Sequence, residues 1–312
     1  MNKFVILADS TCDLSKEFQL RYDIHIIQGH IILPDGREIS SFQKWEEFDH
    51  DEFYNDLKKN PNSYSTSPPN TNEFFEAFEE YAENGTEILA ITISSGISGA
   101  YGFACKAKDD IIAKYPNCKI NVVDSMRFGP GFGLMTIWAA ELRNKGLSLD
   151  EVYQLIEKHK NRFRQAGWLD DLSFVAKKGR ITHPKAFFGT LAGIKPLGET
   201  DTNGLTTVIG KVKGTKKAYA VLMEYIEQTI ENPSEQIIFI AHTNRYNQAV
   251  AYKEMIEKRF HPKAIYVSDV FPSCGINIGL GLMAAYYYGK PISEGLVEEK
   301  RIIKNSIGVS DT

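Results

Sequence analysis

The 312-residue sequence lacks the loops and clusters that most often announce a cofactor. It has neither G-x-G-x-x-G nor G-x-x-x-x-G-K-[ST], the glycine-rich loops whose backbone N–H groups cradle nucleotide phosphates. It has no H-E-x-x-H to hold zinc on one helix face. The nucleophile elbow G-x-S-x-G is missing as well, since Gly96-Ile-Ser98-Gly99 has the wrong spacing. Cysteine is sparse: Cys12, Cys105, Cys118 and Cys274 are far apart and form no C-x-x-C, which argues for reduced, packed thiols. Positive charge is not in excess, the formal net charge being -4, so a nucleic-acid footprint is not expected. No apolar run approaches the ~18 residues of a membrane span. The N-terminal run Phe4-Val-Ile-Leu-Ala8 meets Asp9 after five residues, too short for a signal-peptide core, which predicts a cytoplasmic protein.

What is present is a large apolar fraction, 43%, on a chain long enough for two domains of ~150 residues each. The stretch Ile88-Leu-Ala-Ile-Thr-Ile-Ser94-Ser95-Gly96-Ile-Ser98 is the centre of the pattern. A run of apolar and β-branched residues predicts a strand buried on both faces. A polar turn follows, and Ser98 is placed to cap a helix through Ala104, Ala107 and Ile111. Such turns sit at the carboxyl ends of strands, where open α/β sheets bind ligands. Hydroxyls and the N–H groups of a helix start suit a carboxylate or phosphate. A plain Ser/Gly turn explains the same residues, and both readings stand at this point.

Two more strands end alike: Asp9-Ser10 closes the first and Asp124-Ser125 closes residues 119–123. Capping boxes open helices at Asp49 with Glu52, Asn70 with Glu73, and Ser148 with Glu151. The helix after Asn70 carries Phe74, Phe75, Phe78 and Tyr81 at helical spacing, a core stripe that could also wall an apolar ligand. Before it, Tyr64-Ser-Thr66-Ser67-Pro68-Pro69-Asn70 is held extended by its prolines. His25 and His30 have no acid or cysteine at ligand spacing, so no metal is expected. Alternating strands and helices predict an N-terminal three-layer α/β/α domain with a parallel sheet over 1–163. Beyond it the pattern predicts a two-layer α/β domain with a mixed sheet over 164–312. There, 170–175 is expected to be extended and 193–197 a turn. Residues 205–212, 236–241 and 264–267 are expected to be strands. Residues 219–230 and 246–259 are read as helices, and the glycines at 275–281 as opening a last helix to 288. With hydroxyls and amides gathered at strand ends, and no obvious base or metal beyond His242 as a base in principle, the residues favour binding over catalysis.

The ordered set of motifs resembles the DegV family of bacterial fatty-acid-binding proteins. Asp9-Ser-Thr-Cys-Asp-Leu14 resembles the family's D-S-T-x-D-L, Thr66-Ser-Pro-Pro-Asn70 its T-S-Q-P-S, and Ile93-Ser-Ser-Gly-Ile-Ser-Gly-Ala-Tyr101 its I-S-S-x-L-S-G-T-Y. Val123-Asp-Ser125, Lys178-Gly-Arg-Ile181 and Ile194-Lys-Pro196 also match, in the family's order over nearly the whole chain. The resemblance implies a two-domain α/β fold holding one long-chain fatty acid with its carboxylate buried, and no catalytic residue, metal or cofactor. It places Thr66 with Ser67, and Ser95 with Ser94 and Gly96, at the ligand. Several members pass the fatty acid to a separate fatty acid kinase that makes an acyl-phosphate for phospholipid synthesis. This implies such a partner, with Arg180 and Lys213 at the rim that meets it or the head group.

Two positions depart from the family pattern. The family's H-x-G-P-G appears as Asn277-Ile-Gly279-Leu-Gly281, so Asn277 stands where a histidine helps hold the head group; it can donate a hydrogen bond but carries no charge. The family's K-x-R appears as Lys211-Val-Lys213, a point charge in place of a bidentate fork. The alternative to a carrier is a serine-dependent hydrolase or a phosphoryl-transfer enzyme using the Ser94-Ser95 turn.

Overall fold

Strand β1 (Phe4–Asp9) is buried along its whole length, as its unbroken apolar run requires. The computed structural model of the chain describes residues 4–41, 49–183 and 193–308. After β1 come α1 (Lys16–Tyr22), β2 (Ile24–Ile27), β3 (His30–Ile32), β4 (Glu38–Ser40) and α2 (His50–Lys59). Next are β5 (Ser65–Ser67), α3 (Thr71–Ala82), β6 (Glu87–Thr92), α4 (Ala100–Lys114), β7 (Ile120–Asp124), α5 (Gly129–Asn144) and α6 (Leu149–His159). Strands β2-β1-β6-β7 form a parallel four-stranded sheet in that order. Helix α3 packs with α4, and α5 with α1 and α6, giving the helical layers that cover it. A small antiparallel sheet, β4-β3-β5, stands beside this sheet in the same unit.

Three of the helix starts read from sequence are capped as expected, while the expected Ser98 cap is corrected: Gly99 is the N-cap of α4, without a side-chain cap. Asn70 and Ser148 each form a complete capping box, and the Asp49 carboxylate accepts from Glu52 N–H at 2.8 Å. In α3, Phe74 and Phe78 enter the core with ring centroids 5.9 Å apart. Phe75 lies under the Lys114 ammonium and Tyr81 meets the edge of His25, so all four aromatics have partners within the fold.

The remaining elements are β8 (Phe163–Leu169), α7 (Leu172–Lys177), β9 (Ile194–Thr200), β10 (Thr206–Lys213), α8 (Thr215–Thr229), β11 (Ile237–His242), α9 (Tyr246–Phe260), β12 (Ala264–Asp269), α10 (Pro272–Ile278), β13 (Leu282–Tyr288) and α11 (Val297–Ile307). They build a mixed six-stranded sheet, β10-β9-β8-β13-β11-β12. Its core gathers Trp168, Leu222, Ile240, Tyr252 and Tyr287 under α8, α9 and α11. Inside that apolar core Arg164 faces two buried carboxylates, Glu299 at 2.8 Å and Glu199 at 3.4 Å, and donates to Tyr225 Oη at 2.7 Å.

Three local expectations are corrected here. Residues 170–175 are not extended: Asp171 accepts from Ser173 N–H at 2.8 Å and caps α7. The expected turn at 193–197 is confined to Gly193: residues 194–197 start β9, with Pro196 tolerated beside its antiparallel partner Lys211. The stretch 275–288 is not one helix. Gly279 and Gly281 take φ of +76° and +89°, which end α10, and the apolar run that follows is β13, buried between β8 and β11. Among the described residues, 4–41, 63–160 and 271–273 group into one compact unit, and 49–62, 161–183, 193–270 and 274–308 into the other.

Candidate functional site

The three polar turns at the carboxyl ends of β1, β6 and β7 lie on one edge of the parallel sheet, as the parallel registers require. Backbone and side chains interlock them. Ile93 N–H donates to Asp9 Oδ2 at 2.7 Å, Ser94 N–H to the Arg127 carbonyl at 2.9 Å, and Ser95 N–H to Asp124 Oδ1 at 3.1 Å. Three successive amides leaving β6 are therefore held by the ends of the strands on either side. Asp9 also accepts from the Thr11 N–H and hydroxyl. Burial, the dominant cause, lifts the Asp9 carboxyl above its ordinary range in spite of these bonds.

The turn uses its own donors. Gly96 N–H donates to Ser94 Oγ at 3.1 Å, Ile97 and Ser98 N–H to the Ser94 carbonyl at 3.2 Å, and Ala100 N–H to Ser98 Oγ at 3.3 Å. The amides of 94–98 and 100 are thus all committed, which corrects the expectation that this turn offers them to an anion. Ser94 is fully buried and staples the turn, whereas Ser95 and Gly96 are exposed. Sequence alone marks Asp9-Ser10 and Asp124-Ser125 as polar turns at strand ends, the first a candidate to line the same cleft as Ser95, without showing that their aspartates hold the β6 amides. Their repetition was the available signal.

Thr66 sits in β5 opposite Ile31, half-buried, with Ser67 next to it exposed and opposite His30. A chain of contacts links this strand to the β6 turn. A Cβ on Gly29 would stand 2.7 Å from the Ser67 carbonyl, so only glycine fits there. Gly29 N–H donates to Ser10 Oγ at 3.2 Å, which is 2.6 Å from Ser41 Oγ, and Ser10 follows Asp9, the acceptor for Ile93. The two hydroxyl motifs are thereby tied together within one unit.

The other named residues belong to the second unit. Asn277 is half-buried at the end of α10, and Gly279 packs against Phe174 with its N–H on the Gly275 carbonyl at 2.8 Å. Arg180 follows α7 and donates to the Lys178 carbonyl, and burial pulls its guanidinium below its ordinary range. Lys213 is exposed at the end of the edge strand β10, where a charge also discourages strand addition.

For the hydrolase alternative, the histidines of the first unit are occupied elsewhere. His25 is 3.3 Å from Asp23, His30 is 2.8 Å from Glu38 and 2.7 Å from Glu73, and His159 stacks on Trp138. His242, in the second unit, accepts Arg245 N–H at 3.3 Å and lies 3.2 Å from Asp269, itself 2.6 Å from His50. Among the described residues no group of three or more His, Cys, Asp or Glu side chains could hold a metal ion, and no helix is long and apolar enough to cross a membrane.

A parallel α/β unit with hydroxyl-bearing turns at its strand ends, joined in one chain to a mixed-sheet α/β unit, defines a two-unit α/β protein with a strand-end polar site. The chain belongs to the DegV family: the profile described as "Uncharacterised protein, DegV family" matches residues 3–290. A DegV domain-containing protein of Clostridium perfringens is 35% identical over 290 residues, 93% of this chain and 98% of that one. A solved structure described as fatty acid binding of a DegV family protein from Thermus thermophilus superposes with a TM-score of 0.82 at 22% identity, covering 92% of this chain and 100% of its own. A DegV family protein from Eubacterium eligens loaded with heptadecanoic acid does so with a TM-score of 0.79 at 22% identity, covering 92% and 100%.

Proposed function

We propose that this protein is a non-enzymatic carrier of a long-chain fatty acid whose carboxylate is held by the hydroxyls of Ser95 and Thr66. The observation that carries the reading is the setting of Ser95: the surrounding amides are committed to the fold, and Ser95 is exposed at the strand end. Fatty acids in the solved DegV proteins of Thermus thermophilus and Eubacterium eligens support the ligand class. Burial of hydrocarbon contributes about 0.8 kcal/mol per CH₂, so a long tail supplies most of the affinity and the head group needs only a few charge-assisted hydrogen bonds. Asn277 and Gly279 are the second unit's candidate ligand-binding residues. Arg180 and Lys213 are its candidates for the rim that a fatty acid kinase would meet in cytoplasmic phospholipid metabolism.

The test is mass spectrometry of organic extracts from purified protein, followed by titration of the delipidated protein with palmitic acid. Recovery of a saturated or monounsaturated long-chain acid, and saturable rebinding, is the expected result. Protein that carries none and takes up none removes the proposal. A coupled assay with the host's kinase tests the partner separately, through acyl-phosphate formation.

A further inference from the structure

Asp124 ends β7 and its Oδ1 accepts two amides, Met126 N–H at 3.0 Å and Ser95 N–H at 3.1 Å. The first is a local turn contact of the kind any aspartate makes two residues ahead of itself. The second is different in kind. It reaches a residue 29 positions away, at the end of the neighbouring strand, and that residue is the exposed Ser95.

We infer that Asp124 is the positioning residue of the Ser95 hydroxyl; the inference rests on the reading of Ser95 as a head-group donor. The geometry is a two-point suspension. The Ser94 amide is fixed on the Arg127 carbonyl and the Ser95 amide on Asp124, so both peptide planes around Ser94 have set orientations. The peptide plane after Ser95 is held as well, by Gly96 N–H on Ser94 Oγ at 3.1 Å, so with the backbone pinned on both sides the Cα–Cβ direction of Ser95 is set and its hydroxyl retains only rotation about χ1. The rest of the β7 end is braced for the same task. Ser125 Oγ donates to the Arg127 carbonyl at 2.9 Å and accepts Arg127 N–H at 3.1 Å, and Ser125 N–H donates to the Thr92 carbonyl at 3.2 Å. Asp124 is buried, which limits competition from water for the amide it holds. A donor held in place before the ligand arrives does not have to be ordered on binding, which is the source of the gain.

Palmitic acid binding by the full chain, with hexadecanol as the neutral-head control, decides the matter. Asp124→Ala weakens palmitate roughly tenfold, the loss of about one hydrogen bond to a charged group. Asp124→Asn keeps an acceptor oxygen and recovers most of the affinity. If Asp124→Ala does not fold, Asp124→Ser replaces it: its hydroxyl still closes the local turn to Met126 but is too short to reach Ser95. A purely structural role would weaken binding equally whether or not Ser95 is present. The expected outcome is instead that Asp124→Ala costs little in a Ser95→Ala background. Equal losses in both backgrounds, or no loss in the folded variant, overturn the inference while leaving the carrier reading intact. Wild-type protein that takes up no palmitate removes the carrier reading and the inference with it.

Discussion

The backbone N–H of Ile93 donates to the buried carboxylate of Asp9 at 2.7 Å, crossing from β6 to β1 at the base of the Ser94-Ser95 turn. One side chain thus joins a local 3-10 turn, through Thr11, to the strand that carries the site. Asp9→Ala removes the acceptor for three donors and leaves the Ile93 amide buried. The expected loss is about 1–3 kcal/mol of stability, read as a fall in the urea midpoint at unchanged slope. A midpoint equal to wild type would show that water replaces the carboxylate.

Ser95→Ala and Thr66→Ala are each expected to weaken palmitate binding by roughly ten- to a hundredfold, the value of about 1.5–3 kcal/mol for a hydrogen bond to a charged group. Melting of Ser95→Ala should match wild type, because Ser94 and Ser98 still accept the turn's amides. Unchanged affinity in both variants would place the head group elsewhere.

Arg164→Ala is expected to be among the most damaging substitutions in the second unit. Glu199 and Glu299 would remain buried without their cation, a situation that costs about 3–5 kcal/mol. Arg164→Met together with Glu199→Gln and Glu299→Gln should be far milder than Arg164→Ala alone, since no charge is then stranded. Denaturant unfolding compares them directly.

His242 and Asp269, 3.2 Å apart, titrate in opposite senses. Burial lowers His242 to about 4, with the nearby His50 charge adding to the shift. Burial raises Asp269 to about 6, opposed by His50. Between pH 4 and 6.5 the unfolded chain holds more protons at His242, so that residue's contribution to stability grows with pH. Between the ordinary carboxyl range and pH 6 the folded chain holds more protons at Asp269, so its contribution declines with pH. Relative to wild type, His242→Gln should therefore tilt the stability–pH curve downward with rising pH over 4–6, and Asp269→Asn should tilt it upward. Unfolding free energies at pH 4, 5 and 6 give both slopes, and tilts of the same sign would refute the assignment.

Much of the first unit was legible because its signals are local and strong. The apolar runs of β1, β6 and β7, and the boxes at Asn70 and Ser148, each specify structure within a few residues. In the second half the signal failed where it was uniform: Leu282–Tyr288 is buried over nearly its whole length and has no periodicity to separate strand from helix. The hydroxyls of the candidate site were visible as turn residues. What fixes them was not, because Asp9 and Asp124 act on amides 84 and 29 residues distant, and no local pattern encodes such a bond.

Helix α2 arises in the N-terminal third of the sequence yet groups with elements from beyond residue 160. Its buried side chains, Phe53, Tyr54 and Leu57, are accordingly matched to surfaces such as Gly275, whose added Cβ would lie 3.0 Å from the Tyr54 hydroxyl. During synthesis Gly275 emerges from the ribosome more than 200 residues after Tyr54, so this part of the surface that α2 meets is made long after the helix itself. A chain cut short before α10 would therefore carry Phe53 and Tyr54 without the Gly275 surface they meet in the complete fold.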